Sequence, residues 1–239
     1  MPDASEDVVA MSGVRFAWPG RDAFSLAVES FAVARGARLL LVGPSGAGKS
    51  TLLNLLCGVV SPQQGAIRVL GTELGALTQG GRDRFRAEHF GVIFQMFNLL
   101  PYGTVLDNVL LPLSFAPGRR ARAARAGPPA DEARALLRAL GLEEALHDGP
   151  AAASLSVGQQ QRVAAARALI GAPEIVVADE PTSALDAARQ REFLDLLFDQ
   201  TQRAGATLIM VSHDVALAAR FDRVAALDDI AVARRGALR

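Results

Sequence analysis

Short apolar runs divide the chain and predict buried strands. Three such runs occupy residues 39–42, 175–178 and 207–211, and only the last contains a polar residue, Thr207 at its start. Runs this short are typical of strands, and strands without a polar face are typical of a parallel sheet covered on both sides. Each run is followed by residues that can bind a ligand or take part in catalysis. Because open parallel sheets bind ligands at the carboxyl ends of their strands, the pattern predicts an α/β fold with a functional site at that edge.

Other patterns predict the elements between these strands. Residues 51–56 predict the start of a helix after the first strand, and residues 89–95 predict a strand that ends in a glutamine. Thr104 is a predicted helix N-cap, because a hydroxyl there can accept a hydrogen bond from a free backbone N–H. Residues 131–140 predict a further helix that Gly141 closes, since glycine is favoured just past a helix C-terminus.

The segment between the first two strands is longer than one crossover connection needs. We therefore interpret residues 95–160 as an inserted helical subdomain, with residues 1–94 and 161–239 forming the core. Turns at Pro19-Gly20 and at residues 62–65 indicate an N-terminal β portion.

A glycine-rich loop of defined spacing follows the first strand. Its residues are Gly43, Pro44, Ser45, Gly46, Ala47, Gly48, Lys49, Ser50 and Thr51. This is the pattern of a phosphate-binding loop, in which backbone N–H groups cradle phosphates, a lysine reaches the β/γ-phosphates and a hydroxyl binds Mg²⁺. Lys49 is the only lysine in the chain, whose other basic residues among the 25 Lys+Arg are arginines. A glycine turn without a ligand is the structural alternative.

Acidic residues and a histidine follow the other two strands. Asp179 and Glu180 follow the second strand, and His213 follows the third. An aspartate in that place can hold Mg²⁺, and a glutamate beside it can polarise an attacking water. The alternatives are surface carboxylates that end a strand and a solvated histidine. A phosphate-binding loop in the same chain favours the catalytic interpretation.

Composition adds little about partners. The 25 Lys+Arg balance the 25 Asp+Glu, so the charge does not indicate a nucleic-acid partner. The densest basic stretch, residues 119–125, has two interpretations: a solvated loop or frayed helix, and a contact with lipid headgroups. No apolar run approaches the roughly 18 residues of a membrane span, and the polar, acidic N-terminus is unlike a signal peptide. We expect a cytoplasmic chain whose membrane role, if any, comes from a partner.

Residues 154–162, Ser-Leu-Ser-Val-Gly-Gln-Gln-Gln-Arg, resemble the signature motif of ATP-binding cassette (ABC) ATPases. Other segments resemble the remaining motifs of that family, in the family's order and along essentially the whole chain. They are Trp18 (the aromatic that stacks on adenine), 43–51 (Walker A), Gln95 (Q-loop), 155–159 (signature), 175–180 (Walker B), 183–186 (D-loop) and His213 (switch histidine). A core or surface anchor is the alternative role for Trp18.

The resemblance implies a fold and a reaction. The fold is that of a P-loop NTPase with a RecA-like parallel-sheet core, an N-terminal antiparallel β portion and the inserted helical subdomain. The reaction is ATP hydrolysis, with ATP and Mg²⁺ bound. The catalytic residues implied are Lys49, Gln95, Glu180 and His213, the Mg²⁺ ligands are Ser50, Gln95 and Asp179, and the nucleotide contacts are Trp18, the loop 43–51, Ser156, Gly158, Gln159 and Asp186.

The resemblance also implies partners. Two copies of the chain would sandwich two ATP molecules head to tail, so that the signature motif of one copy closes on the phosphates held by the other. The homodimer would sit on an integral membrane permease, at the cytoplasmic face of the inner membrane. Val157 departs from the family, which usually has glycine there, but a residue in ordinary helical geometry does not need glycine. We expect activity to survive this change.

Residues 90–101 and 104–109 resemble the branch that contains lipoprotein-release, macrolide-export and cell-division ATPases. This favours a subunit that powers export or extraction from the membrane. The alternative is a non-transport ATPase that transmits force through a membrane partner, as the cell-division relatives do.

Overall fold

The protein is described from a computed structural model that covers residues 7–20, 24–142 and 151–235. The chain forms two compact units. The first contains Met1–Arg86 and Ile209–Arg239, and the second contains Ala87–Leu208. The helical subdomain expected at residues 95–160, between the two parts of a core at residues 1–94 and 161–239, stays a prediction.

The strands are β1 Asp7–Ala17, β2 Phe24–Ala34, β3 Arg38–Val42, β4 Gln64–Val69, β5 Thr72–Glu73, β6 Phe90–Ile93, β7 Ile175–Asp179, β8 Thr207–Ser212, β9 Arg223–Ala226 and β10 Val232–Arg235. The α-helices are α1 Lys49–Leu56, α2 Gln79–His89, α3 Val105–Leu110, α4 Pro117–Ala123, α5 Pro129–Ala139, α6 Val157–Leu169, α7 Ala187–Arg203 and α8 Leu227–Ile230. Short 3₁₀ helices cover Leu74–Ala76, Leu111–Ser114, Ala152–Ser154 and Val215–Arg220.

An antiparallel sheet forms the N-terminal part of the first unit, as predicted. Its strand order is β10-β2-β1-β4-β5. One face is buried because apolar residues face each other across the strands, as where Met11 pairs with Phe31 and Val14 with Val28. The predicted turn at 62–65 is too long by two residues, because β4 already begins at Gln64.

The first unit also contains the phosphate-loop elements. Strand β3 pairs in parallel with β9, and its residues Leu39 to Leu41 are fully buried. The strand leads into the glycine-rich loop and then into α1, as the sequence predicted. A bidentate ion pair reinforces the strand pair, because Arg38 Nη2 lies 2.8 Å from Asp222 Oδ1 and Arg38 Nε donates to Asp222 Oδ2 at 3.3 Å. The Arg38 backbone N–H also donates to Asp222 Oδ2 at 2.8 Å.

The second unit contains its own parallel strand pair, β6 with β7. Gly91 in β6 lies so close to the Ala168 carbonyl that a Cβ atom would overlap it, so glycine is required there.

The predicted helix caps are confirmed. Thr104 forms a capping box with Asp107, and Gly141 follows α5 with φ of +74°.

Helix α7 shows why its sequence is helical. Its buried residues are Phe193, Leu194, Leu197, Phe198 and Thr201, together with Gln200. Apart from Gln200 this is the i, i+1, i+4, i+5, i+8 spacing of one helical face, so burial of that face stabilises the helix in the second unit.

The basic stretch 119–125 lies mostly in helix α4, and the predicted solvated segment is only partly correct, because Arg120 and Arg125 are exposed whereas two other arginines are not. The alternative contact with lipid headgroups stays a prediction. Arg119 is only 2% exposed, and Arg122 is half-buried on the Gly171 and Glu88 carbonyls. The pattern of charges did not reveal this burial. Both side chains extend from the short helix α4 to backbone carbonyls that are distant in sequence, which sequence spacing cannot show. Within the described part of the chain, no helix has the length and apolar character needed to cross a bilayer.

Candidate active site

The glycine-rich loop has the geometry of a phosphate cradle. Gly46 and Gly48 adopt left-handed φ angles of +73° and +110°, which turn successive backbone N–H groups inward. Gly48 could not be replaced easily, since a Cβ atom there would overlap the ring of Phe24. The loop ends at the N-terminus of α1, whose unpaired N–H groups and dipole favour an anion.

Lys49 lies inside this loop. Its side chain is only 7% exposed, and its Nζ donates to the carbonyls of Gly43 at 2.6 Å and Pro44 at 3.1 Å. These carbonyls hold the ammonium at the centre of the cradle. The next residue, Ser50, is exposed on the first turn of α1, so its hydroxyl is accessible to a bound cation.

Trp18 is held beside the same helix. Its Nε1–H donates to Thr51 Oγ1 at 3.3 Å, and its ring meets Phe16 edge-on with centroids 5.0 Å apart. The indole is still 38% exposed. This places an accessible aromatic face in the unit that carries the phosphate loop. Adenine stacking on Trp18 stays a prediction.

His213 belongs to the first unit as well. It follows β8 directly and is exposed. The turn after it is well defined, because the Asp214 N–H donates to Ser212 Oγ at 3.0 Å and Asp214 Oδ1 accepts from the Ala216 N–H at 2.9 Å. The histidine is therefore presented to solvent from a fixed backbone.

In the second unit, Gln95 and Asp179 lie at the same edge of the parallel strand pair. Ile93 and Ala178 are direct partners in β6 and β7, and the two candidate residues follow them closely. Glu180, the next residue, has a left-handed φ of +48° and is half-buried. A non-glycine residue in this conformation is uncommon, and such strain clusters at functional sites.

The signature segment begins α6. Ser156 and Gln159 form a capping box, in which Gln159 Oε1 accepts from the Ser156 N–H at 2.8 Å and Ser156 Oγ accepts from the Gln159 N–H at 3.4 Å. Val157 takes the first helical position in ordinary geometry, as expected. A Cβ atom on Gly158 would meet nothing within 4 Å, so this side of the helix start is open to another molecule.

Asp186, in the D-loop, is the N-cap of α7. Its Oδ1 accepts from the backbone N–H groups of Arg189 at 2.9 Å and Ala188 at 3.0 Å. These hydrogen bonds, that from Arg189 first, lower the pKa of the carboxyl. The D-loop and the signature segment line one cavity of about 340 Å³, formed by Ser156, Gly158, Gln159, Ala184, Leu185 and Arg162 among others.

Sequence reasoning missed Arg167, which lies near the end of α6. Its guanidinium is buried and donates to the carbonyls of Phe97 and Asn98, in the loop after Gln95. A signal existed, because this arginine interrupts the apolar run 163–170. A charged residue in such a run is seldom buried without partners.

The candidate Mg²⁺ ligands fit a hard cation by their chemistry. The Ser50 hydroxyl, the Gln95 amide and the Asp179 carboxylate all offer oxygen, which Mg²⁺ prefers. Among the described residues, no three His, Cys, Asp or Glu side chains gather into a protein metal cage. Mg²⁺ bound with a nucleotide needs only one or two carboxylates, because phosphates and water complete its shell.

Comparison with known proteins gives the class. A family model for ABC transporters matches residues 26–183, most of the chain. The chain therefore belongs to the ABC transporter family, and it is an ATP-binding cassette of the ATP-hydrolysing class.

Named relatives are similar over most of the chain. LolD 2 of Rhodospirillum rubrum, a lipoprotein-releasing system ATP-binding protein, is 43% identical over 81% of both chains. YbbA of Escherichia coli K12, named an uncharacterized ABC transporter ATP-binding protein, is 44% identical over 80% of both. The macrolide export ATP-binding/permease protein MacB 1 of Aeromonas hydrophila is 41% identical over 95% of this chain, which spans only 34% of that protein. The predicted branch is confirmed by these names.

A solved structure is similar over the whole fold. The dimeric ATP-binding cassette MJ0796, in a post-hydrolysis state with ADP and Pi, matches 97% of this chain and 99% of its own, with a TM-score of 0.76 and 32% identity. The predicted α/β cassette fold is confirmed.

Proposed function

We propose that this chain hydrolyses ATP to power export, or extraction from the membrane, through a separate permease subunit at the cytoplasmic face of the inner membrane. The 43% identity to a lipoprotein-releasing ATP-binding protein over 81% of both chains carries the proposal. The match to about a third of a macrolide export ATP-binding/permease protein supports it. The permease would select the cargo.

The proposed roles in the first unit follow from its geometry. Lys49, held in the loop, would bind the β/γ-phosphates together with the N–H groups of residues 43–51. Trp18 would stack on adenine, and His213 would contact the γ-phosphate. The hydrogen bonds that fix the Trp18 indole and the turn after His213 suit these contacts, because these parts need no further ordering when the ligand binds.

The second unit would supply the hydrolytic groups. Glu180 would orient and polarise the attacking water, and its left-handed backbone, with φ of +48°, sets the direction in which the side chain leaves the chain. Ser50 from the loop, with Gln95 and Asp179, would hold Mg²⁺. When bound, the cation neutralises charge that develops on the phosphates. The protein then needs mainly to position the water and the nucleotide.

The signature segment would act on a second copy of the chain. Gly158 leaves open space beside the start of α6, and the helix dipole there favours a phosphate. Ser156 Oγ would exchange its long 3.4 Å capping bond for a phosphate contact. Asp186 would link the two sites, and residues 95–160 would respond as a helical subdomain. The dimeric form of the related cassette supports this homodimer.

Capture of the membrane partner tests the proposal. Tagged Glu180→Gln protein, loaded with ATP, would be purified from detergent-solubilised membranes and its companions identified by mass spectrometry. Lys49→Ala/Glu180→Gln protein is the matched control for nucleotide-dependent capture. We expect a stoichiometric integral membrane protein with few spans and a large extracytoplasmic domain.

Two other results would contradict parts of the proposal. A permease with many spans would support a conventional transporter and remove the assignment to this branch. ATP-dependent dimerisation without any membrane partner would overturn the transport role.

A further inference from the structure

The loop after Gln95 is held in an uncommon conformation. Phe97 and Asn98 are consecutive and have left-handed φ angles of +58° and +49°. A left-handed non-glycine residue costs about 1–2 kcal/mol, and a bulky residue such as Phe97 is a genuine outlier. The loop can keep this shape only if contacts elsewhere compensate for the cost.

Arg167 provides such contacts. Its Nη1 donates to the Asn98 carbonyl at 2.7 Å, and its Nη2 donates to the Phe97 carbonyl. The side chain is only 7% exposed, and burial lowers its pKa from the ordinary value. One planar fork thus binds the carbonyls of both strained residues, which a lysine ammonium could not match in geometry.

Arg167 also belongs to the signature helix. It lies in the last turn of α6, the helix that Ser156 caps. At 1.5 Å per residue, the two residues are about 16 Å apart along the helix axis. A rigid helix therefore joins the signature segment to the loop that follows Gln95.

We propose that Arg167 is a positioning residue, which holds the loop after Gln95 in its left-handed shape and couples this loop to movement of the signature helix. The inference rests on the proposed role of Gln95. When α6 shifts as its N-terminus engages a phosphate, the guanidinium moves the Phe97 and Asn98 carbonyls with it. Gln95, two residues before Phe97, is then repositioned within the same chain.

The first test removes the planar guanidinium of residue 167 but keeps its positive charge. We expect Arg167→Lys to lower kcat about tenfold, which corresponds to about 1.4 kcal/mol, and to change KM for ATP less than twofold. Hydrogen exchange at the amides of residues 95–99 should become faster. Arg122→Lys is the matched control, because Arg122 likewise binds two carbonyls in the same unit but does not contact this loop. It should keep kcat and the loop exchange rates.

A second test uses two variants that change the loop itself instead of Arg167. Asn98 is exposed, so its substitution leaves the core intact. Asn98→Val should reproduce the lowered kcat, because a β-branched residue disfavours positive φ, and Asn98→Gly should retain more activity than Asn98→Val. If Arg167→Lys does not fold, this pair still tests whether turnover depends on the left-handed loop shape that Arg167 is proposed to hold.

The outcomes separate the two proposals. Wild-type turnover in Gln95→Ala would remove the proposed role of Gln95. A second result would overturn only the role of Arg167. In it, Gln95→Ala has reduced turnover, but Arg167→Lys and Asn98→Val both keep the wild-type turnover and the wild-type rates of hydrogen exchange at residues 95–99. Equal rates in Asn98→Val and Asn98→Gly would overturn that role as well.

Discussion

Lys49 shows how much one residue and its loop can indicate. Its place in the motif predicted a phosphate contact, and the structure surrounds its ammonium with the carbonyls of Gly43 and Pro44. A compact cation on a flexible stem can leave these carbonyls for phosphate oxygens without a change of the backbone.

We expect Lys49→Ala to weaken ATP binding by at least tenfold, because the strongest positive charge in the cradle is lost. Calorimetric titration of the purified chain measures this. Arg35→Ala, which removes an exposed charge from the same unit, is the matched control and should bind ATP normally. Unchanged affinity in Lys49→Ala would contradict the phosphate-loop assignment.

The arginines show what could not be predicted from the sequence for single residues. Arg119 and Arg125 belong to one basic stretch, yet the first is buried and the second is exposed. Arg167 likewise gains its role only from carbonyls that lie 69 and 70 positions away in the sequence. Which side chain reaches such carbonyls depends on the tertiary fold, so residue type and spacing cannot predict it.

At the scale of elements, helix α4 is held by one buried side chain. Arg119 Nε and Nη2 donate to the Ile170 carbonyl at 2.9 and 2.6 Å, and Nη1 donates to the Phe90 carbonyl at 3.0 Å. Burial lowers the pKa of this guanidinium to about 10, so it stays protonated at neutral pH. The bonds join α4 to the end of α6 and to β6.

We expect Arg119→Ala to lower the free energy of unfolding by about 3 kcal/mol, because several buried carbonyls lose their donor. Urea unfolding measures the change. Arg120→Ala removes the exposed neighbour and should stay within about 0.5 kcal/mol of the wild type. A similar small loss in both variants would show that the Arg119 hydrogen bonds do not stabilise the unit.

The strand pair β3 and β9 carries a pH-dependent contact. The hydrogen bond from the Arg38 side chain lowers the pKa of Asp222 from its ordinary value. A carboxyl with a lowered folded-state pKa stabilises the fold fully above its unfolded pKa, and this stabilisation is lost as pH falls through the folded value. Both side chains are over a third exposed, so solvent screening keeps the contribution below about 1 kcal/mol.

We expect Asp222→Asn to be less stable than the wild type at pH 7, with a difference that shrinks as pH falls below about 4. Urea unfolding over a pH series measures this. Asp228→Asn, at an exposed position in the same unit, controls for the loss of a charge. A difference between Asp222→Asn and the wild type that does not vary with pH would rule out the ion pair as its cause.

At the scale of the whole molecule, two copies are needed for the proposed reaction. Glu180→Gln should bind ATP, turn over at under about one hundredth of the wild-type rate and accumulate as a dimer, because the water is no longer activated. ATPase assays and light scattering after size exclusion measure these properties.

Lys49→Ala/Glu180→Gln should remain monomeric with ATP, since the loop no longer binds it. Turnover near the wild-type rate in Glu180→Gln would exclude Glu180 as the group that polarises the water.

The resemblance to ABC ATPases implied the reaction and most candidate residues, whereas the class of fold, the phosphate loop and the candidate residues after the strands could be predicted from the sequence alone. These depend on local patterns: apolar runs that must be buried, a loop whose glycines permit left-handed φ, and residues that follow strand ends. Thr104 and Gly141 were predictable for the same reason, because capping is decided within a few residues.

Only the tertiary structure decided which polar side chains are buried and what they hold. Arg119 and Arg167 bind carbonyls that are distant in sequence, and the strained φ angles of Phe97, Asn98 and Glu180 are sustained by the surrounding fold. The apolar run around Arg167 indicates that it is buried, but no local pattern encodes which carbonyls it binds or where the backbone is left-handed. A buried cation or a left-handed backbone is unfavourable alone and persists only where the assembled chain compensates for it.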